Sequence, residues 1–272
     1  MEDLRTDERD SRVDKVALRK ALGDRLIGHR LLYFLTLSST NEHVRELAED
    51  GWPEGTVVLA EEQTAGKGRG GRKWHSPPGV GLYFSVLLKP QLPPEKTPLV
   101  TLVAAVAAAR GLRDCGSEGA IKWPNDLILG GRKIGGILAD SRLRAGTPPE
   151  VVLGIGLNVN HLEEHFPPDL ATRAGSIRMH GGAPADRTTL LTRVLIRLDE
   201  AYAALTAGGE AGLLDAFLAL CPMAKGRTVT VTGEDEAFMG ETMGLTPLGS
   251  LRVSTAAGLR EVRVGEVTVS EG

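Results

Sequence analysis

From Gly66 to Trp74 the chain reads Gly-Lys-Gly-Arg-Gly-Gly-Arg-Lys-Trp, four glycines and four cations with no acid among them. Glycine lets the backbone reach positive φ and approach a ligand closely, and the cations make the segment electropositive in a chain whose formal net charge is −3. The segment is suited to an anion. Taken alone it fits a nucleotide site, a grip on RNA phosphates or a solvated loop equally well.

Other residues whose types could do chemistry lie further along. Lys133 follows Gly130-Gly131, a hairpin-turn pair, so its ammonium is carried on a short rigid hairpin. Ser39-Thr40-Asn41-Glu42 has the form of a helix capping box. Asp126, after Pro124-Asn125, either ligates Mg²⁺ or caps a turn. Asn158 stands at the end of an apolar run, and Trp74 and Trp123 suit either a ligand pocket or a core. His161 to His165 matches the H-x-x-E-H pattern of inverted zinc peptidases, which requires a helix. Phe166-Pro167-Pro168 leaves little helix there, so a surface loop accounts for it better.

These residues need elements to hold them. Leu31 to Leu37 reads as a buried strand, followed by a helix from Ser39 through Ala48. Thr56 to Glu61 and Leu82 to Leu88 read as strands, the second alternating in character, so the glycine–cation loop hangs between them. Pro98 to Arg110 is an alanine-rich buried helix. Ile121 to Trp123 and Leu127 to Leu129 are extended pieces around Pro124-Asn125-Asp126, and Val151 to Val159 is an internal strand. Thr188 to Leu205 and Glu210 to Leu220 are amphipathic helices. From about Arg227 short alternating strands separated by glycines predict a compact all-β module.

Composition narrows the function classes. With 42% hydrophobic and 25% charged residues over 272 positions, the chain can bury a sizeable core. The weakly acidic balance argues against a dedicated duplex-DNA binder. The residues before the first strand, with one short helix over Val16 to Leu26, are too few for a winged helix-turn-helix. Residues 1 to 14 carry dense mixed charge and predict a poorly ordered start. Cys115 and Cys221 are far apart and lack C-x-x-C spacing, which suits a reduced, cytoplasmic protein. The longest apolar run, Leu99 to Ala109, is far shorter than the roughly 20 residues of a membrane span.

Five segments in order resemble biotin–protein ligases: Ser39-Thr40-Asn41, Glu61 through Trp74, Lys122-Trp123-Pro124-Asn125-Asp126, Lys133 through Leu138, and Gly154-Ile155-Gly156-Leu157-Asn158-Val159-Asn160. The resemblance implies an α+β catalytic domain with the class II aminoacyl-tRNA synthetase-like fold, a mixed sheet flanked by helices, and a small C-terminal SH3-like β-barrel. The expected division is a charged extension over 1–27, a catalytic domain over 28–223 and the barrel over 224–272. It further implies ATP and biotin as substrates with Mg²⁺, and transfer of biotin to a lysine of a biotin carboxyl carrier protein. No DNA or membrane partner is expected, and relatives commonly form homodimers through a sheet edge.

By the same resemblance Ser39, Thr40, Asn41, Gln63, Lys67, Gly68, Arg69 and Lys133 would contact biotin. Arg69, Arg72, Lys133, Asn158 and Trp74 would meet ATP. Lys133 and Arg69 are the residues expected to act in catalysis, and Phe166 is the one aromatic available where some relatives stack adenine. Arginine is frequent in the family where this chain has Lys67, which keeps the charge but loses the planar fork, and a bulkier residue is common at Gly70. A lipoate-type ligase and a non-enzymatic RNA-binding module are the rival readings.

Overall fold

The computed structural model describes residues 12–144, 146–233, 237–263 and 265–269; most of the charged start lies outside the described residues. Strand β1 (Leu31–Leu37) runs into helix α2 (Thr40–Glu49) and returns as β2 (Val57–Gln63), parallel to β1. Every other neighbour in the seven-stranded sheet is antiparallel. The order is β1-β2-β3-β7-β6-β5-β4, with β3 Gly81–Leu88, β4 Ala120–Lys122, β5 Asp126–Leu129, β6 Arg132–Arg142 and β7 Glu150–Asn158.

The two faces of this sheet are covered unequally. Helix α3 (Leu99–Asp114) is almost entirely buried between the sheet and α5 (Arg187–Thr206), because its Leu, Val and Ala side chains leave no polar stripe. Helix α6 (Glu210–Leu220) also packs on α3. On the opposite face α2 covers only a small apolar cluster of Val44, Leu47 and Ala48 against Val58, Leu87 and Val152. The rest of that face is free to form a site. β3, expected to alternate, is buried along its whole length because it is central and covered on both faces. β1, expected to be buried, is instead an edge strand, half-buried with Leu35 53% exposed.

Helix α1 (Lys15–Leu22) is shorter than the expected Val16 to Leu26, since Gly23 terminates it at φ 59°. The expected division at residue 28 does not coincide with a break in packing. Leu18, Leu22 and Ile27 are buried in the main core, and Tyr33 Oη donates to Glu61 Oε1 at 2.6 Å beneath them. Glu61 Oε2 also accepts from Arg187 Nη1 at 2.8 Å, and the same nitrogen donates to Gly81 O at 2.8 Å. One buried guanidinium thus ties the ends of β2 and β3, from which the glycine–cation loop departs.

A second, five-stranded antiparallel sheet has the order β11-β10-β9-β8-β12, formed by β8 (Lys225–Thr232), β9 (Phe238–Leu245), β10 (Leu251–Thr255), β11 (Gly258–Val262) and β12 (Glu266–Val269). Its inward Val229, Val253 and Val267 join the main core. Trp123 Nε1 donates to Gly249 O at 3.1 Å across the junction.

Candidate active site

The uncovered face of the sheet opens into a cavity of about 600 Å³. Every residue singled out as a site residue lines it: Ser39, Thr40, Asn41, Gln63, Lys67, Gly68, Arg69, Arg72, Trp74, Asp126, Lys133 and Asn158, together with Trp123 and Phe166.

One wall is neutral and polar. Ser39 was expected to cap α2 through its side chain, but it makes no such bond. Gln63, at the end of β2, does this instead: its Oε1 accepts from Thr40 N at 2.9 Å and from Thr40 Oγ1 at 3.1 Å. A free helix N–H is therefore satisfied by a neighbouring strand, which fixes the helix start to the sheet. Gln63 Nε2 is within 3.0 Å of Ser76 Oγ. Beneath them Ser85 Oγ donates to Asn41 Oδ1 at 2.6 Å and lies 2.7 Å from Thr40 Oγ1. Ser39, Thr40, Asn41 and Ser85 are each no more than 5% exposed. Asn41 fits only because residue 154 is glycine; a Cβ there would overlap Asn41 Oδ1.

Glycines also seat the tryptophan. Gly136 and Gly156 are directly opposed on β6 and β7, and a Cβ on either would press into the Trp74 indole. The pair forms a notch in the sheet for the ring. Trp74 is thus part of the cavity wall, and its Nε1 has no hydrogen-bond partner among the described residues. Lys133 Nζ sits 5.6 Å from the ring centroid.

The other wall carries the charge. The glycine–cation segment is a stapled hairpin: Trp74 N donates to Gly66 O at 2.9 Å and Gly68 N to Arg72 O at 2.7 Å. Gly70 and Gly71 turn its tip with φ 66° and 75°, a conformation that strains any residue with a Cβ. Lys133 is placed by the Gly130-Gly131 turn, both at positive φ, and its backbone is clamped by Lys133 N to Arg173 O at 2.9 Å and Gly175 N to Lys133 O at 2.9 Å.

Each of these cations rests on a neighbour. Lys67 pairs with Glu42 at 2.5 Å and Lys133 with Asp126 at 2.5 Å, while Arg72 pairs with Glu266 of the second sheet. Arg69 donates to Gly265 O at 3.0 Å and to Asn125 Oδ1 at 3.4 Å. The Lys67 ammonium holds the Glu42 carboxyl below its ordinary range. Asn125 also brackets β6, donating to Ile137 O at 2.8 Å and accepting from Ile137 N at 2.9 Å.

Asp126 lines the cavity with its carboxylate turned to Lys133. The pair lies at 2.5 Å, and no group of three or more His, Cys, Asp or Glu able to hold a metal by protein side chains alone occurs among the described residues. Asn158 is 4% exposed and its Nδ2 donates to Gly175 O at 3.0 Å, so it holds the segment flanking Lys133 as well as lining the cavity.

The H-x-x-E-H segment, expected as a surface loop, is one only in part: Glu163 and Glu164 are exposed, but its first residue is not. His161 is fully buried, and only residues 163–165 form a single helical turn. His165 Nδ1 accepts from Leu162 N at 2.7 Å, and the two imidazoles lie 6.3 Å apart at 87°.

Gly265, Glu266 and Asn125 were not singled out from the sequence. Asn125 stood inside a quoted motif, where its spacing to Asp126 was the available signal. The approach of Gly265 and Glu266 to the loop has no local sequence signal.

Comparison with known proteins agrees with this geometry. Residues 33–158, from β1 to the end of β7, match the Biotin/lipoate A/B protein ligase family. The chain is 35% identical over 253 residues to the bifunctional ligase/repressor BirA of Bacillus subtilis, covering 92% of this chain and 77% of that protein. It is 32% identical to the biotin–[acetyl-CoA-carboxylase] ligase of Paracoccus denitrificans, covering 84% and 96% respectively. The solved biotin protein ligase from Aquifex aeolicus in complex with biotin and ATP superposes with a TM-score of 0.75 at 28% identity, over 90% of this chain and 100% of that one. The cavity, the five segments that build it and these likenesses together place the chain in the biotin protein ligase family.

Proposed function

We propose that this chain is an ATP-dependent biotin–protein ligase that forms biotinyl-5′-adenylate and transfers biotin to one lysine of a biotin carboxyl carrier protein. The observation that carries this is the meeting, in one cavity, of a buried neutral polar wall with Arg69, Arg72 and Lys133. Biotin's ureido group needs donors and acceptors in a small pocket, and Ser39, Thr40, Asn41 and Gln63 supply both. Its carboxylate then points toward the charged wall.

In the first step a carboxylate oxygen attacks the α-phosphorus of ATP, the bond from that phosphorus to the bridging oxygen breaks, and pyrophosphate leaves. Two anions must approach, so cations that neutralise them lower the barrier. Lys133 delivers a compact charge between carboxylate and α-phosphate, and the guanidinium forks of Arg69 and Arg72 suit the phosphate oxygens. Lys67 adds a charge near the carboxylate, and Gly68 beside it lets the backbone approach closely. The stapled hairpin covers the anhydride against water. In the second step a neutral lysine amine of the carrier attacks the anhydride carbonyl, the bond from that carbon to the phosphate oxygen breaks, AMP leaves, and the amine's proton passes to solvent. Asn158 and Trp74 line the nucleotide side, with Phe166 as the base wall. Asp126 is a carboxylate that would hold magnesium together with the ATP phosphates, whose charge the ion would further neutralise; no step is derived through that metal.

The edge of β1 is the surface on which a second copy would pair. No helix of the described residues is long and apolar enough to cross a membrane, and a cytoplasmic carrier is the expected acceptor. The test is incubation with ATP, a biotin carboxyl carrier protein and either biotin or lipoate. Attachment of biotin to a single carrier lysine is expected; attachment of lipoate without biotin would assign the chain to the lipoyl branch instead.

A further inference from the structure

His161 is fully buried, yet the reaction described above gives it no task. Its place is fixed by its surroundings. Asn160 on its amino side exchanges two bonds with Ala185, at 3.0 and 2.8 Å, and Ser176 Oγ donates to His161 O at 2.7 Å. Tyr83 Oη lies 3.2 Å from His161 Nε2 and donates its single proton to Pro77 O at 3.1 Å. The tautomer that satisfies both contacts carries the imidazole proton on Nε2 and leaves Nδ1 as a bare acceptor, and Nδ1 has no partner among the described residues. An unpartnered lone pair is tolerable in a core, whereas an unpartnered N–H on a cation is not. Burial, with His165, His75 and Arg187 nearby, accordingly pushes this imidazole's pKa down to about 3.

What the ring touches is Phe166. The two rings are stacked with centroids 5.0 Å apart and planes 15° from parallel, and Phe166 lines the cavity. Phe166 closes the short turn, its N donating to Glu163 O at 3.1 Å, is followed by two prolines and is 7% exposed.

We infer that His161 is a positioning residue for the nucleotide base: its flat neutral ring backs Phe166 and fixes the orientation in which that ring meets the purine. The inference rests on the reading of this cavity as an ATP site with Phe166 as the base wall. It gives the H-x-x-E-H segment a role unrelated to metal. It also separates His161 from a mere core residue, because a core residue would affect both substrates alike.

The test uses the full chain and compares His161→Leu, which fills the space without a flat face, with His161→Phe, which keeps one, and with Phe166→Ala. Biotin affinity without ATP and KM for ATP in pyrophosphate exchange are measured for each. His161→Leu should raise the ATP KM about fivefold to tenfold, the loss expected for one aromatic pair, with biotin affinity within twofold of wild type. His161→Phe should restore the ATP KM. Equal losses for both substrates in His161→Leu, or an ATP KM unchanged while Phe166→Ala raises it, would overturn the role of His161. An unchanged ATP KM in Phe166→Ala would instead remove the base-wall reading itself.

Discussion

On one side of the cavity Thr40, Asn41 and Ser85 are at most 5% exposed and are bonded to one another and to Gln63. On the other side Lys67, Arg72 and Lys133 are 47%, 60% and 35% exposed, and each leans on a carboxylate that an incoming anion can displace. The first wall is a finished set of donors and acceptors whose geometry is locked by the sheet. The second is a set of charges on a hairpin and a turn. The difference fits the two substrates: a neutral bicyclic ring is recognised by fixed hydrogen bonds, whereas phosphates in motion along a reaction need charges that can be re-paired.

Substitutions should separate the walls, and on biotin binding the largest effects fall on the locked one. Gly154→Val puts branched carbon where Asn41 Oδ1 now lies, so biotin binding measured by calorimetry should vanish. Retained affinity would show that Asn41 is not held as described. Thr40→Val keeps the shape but removes the hydroxyl from the network, which should weaken biotin about tenfold, in line with about 1–3 kcal/mol for an unsatisfied buried partner, while the ATP KM stays constant. A change in both constants would mean the walls are not separate.

The stack at His161 makes a smaller, graded contribution that depends on pH. Its folded pKa, about 3, lies below the ordinary histidine value, so the folded form binds fewer protons than the unfolded chain in between. That contribution to stability is complete above about pH 6.5 and is lost progressively as pH falls toward 3, at up to about 1.4 kcal/mol per unit. Urea midpoints between pH 7 and 5 should therefore fall less steeply in His161→Phe than in wild type; parallel curves would contradict the buried neutral imidazole.

The smallest effect belongs to the contact between the exposed wall and the second sheet. Glu266→Gln loosens the contact of Arg72 with the second sheet, and a pair this exposed is worth less than about 1 kcal/mol, so thermal stability should be unchanged. The ATP KM should move by no more than about threefold, since the phosphates supply Arg72 with a stronger partner.

How much of this was legible in the sequence differs between the walls as well. The charged wall reads directly, because Gly66 to Trp74 and Gly130 to Lys133 are local patterns in which turn glycines and cations are neighbours in the chain. The polar wall reads only in composition. Ser39-Thr40-Asn41-Glu42 suggests a self-capped helix, but the cap comes from Gln63 on the next strand, and Glu42 turns to Lys67. The notch for Trp74 needs Gly136 and Gly156 to be opposite each other, a matter of strand register. β1 and β3 depart from expectation for the same reason, as an apolar run does not reveal whether its strand lies at an edge or the centre. Gly265 and Glu266 meet the loop only through the docking of the second sheet.

The measurement that tests the division of labour most directly is biotin-dependent exchange of labelled pyrophosphate into ATP, run with wild type, Lys133→Ala and Thr40→Val, alongside biotin binding without ATP. Lys133→Ala should lose exchange by about 100-fold or more while still binding biotin, the scale set by removing a group that stabilises transition-state charge. Thr40→Val should regain near-normal exchange when biotin is raised. Exchange at the wild-type rate in Lys133→Ala would contradict the account at its centre.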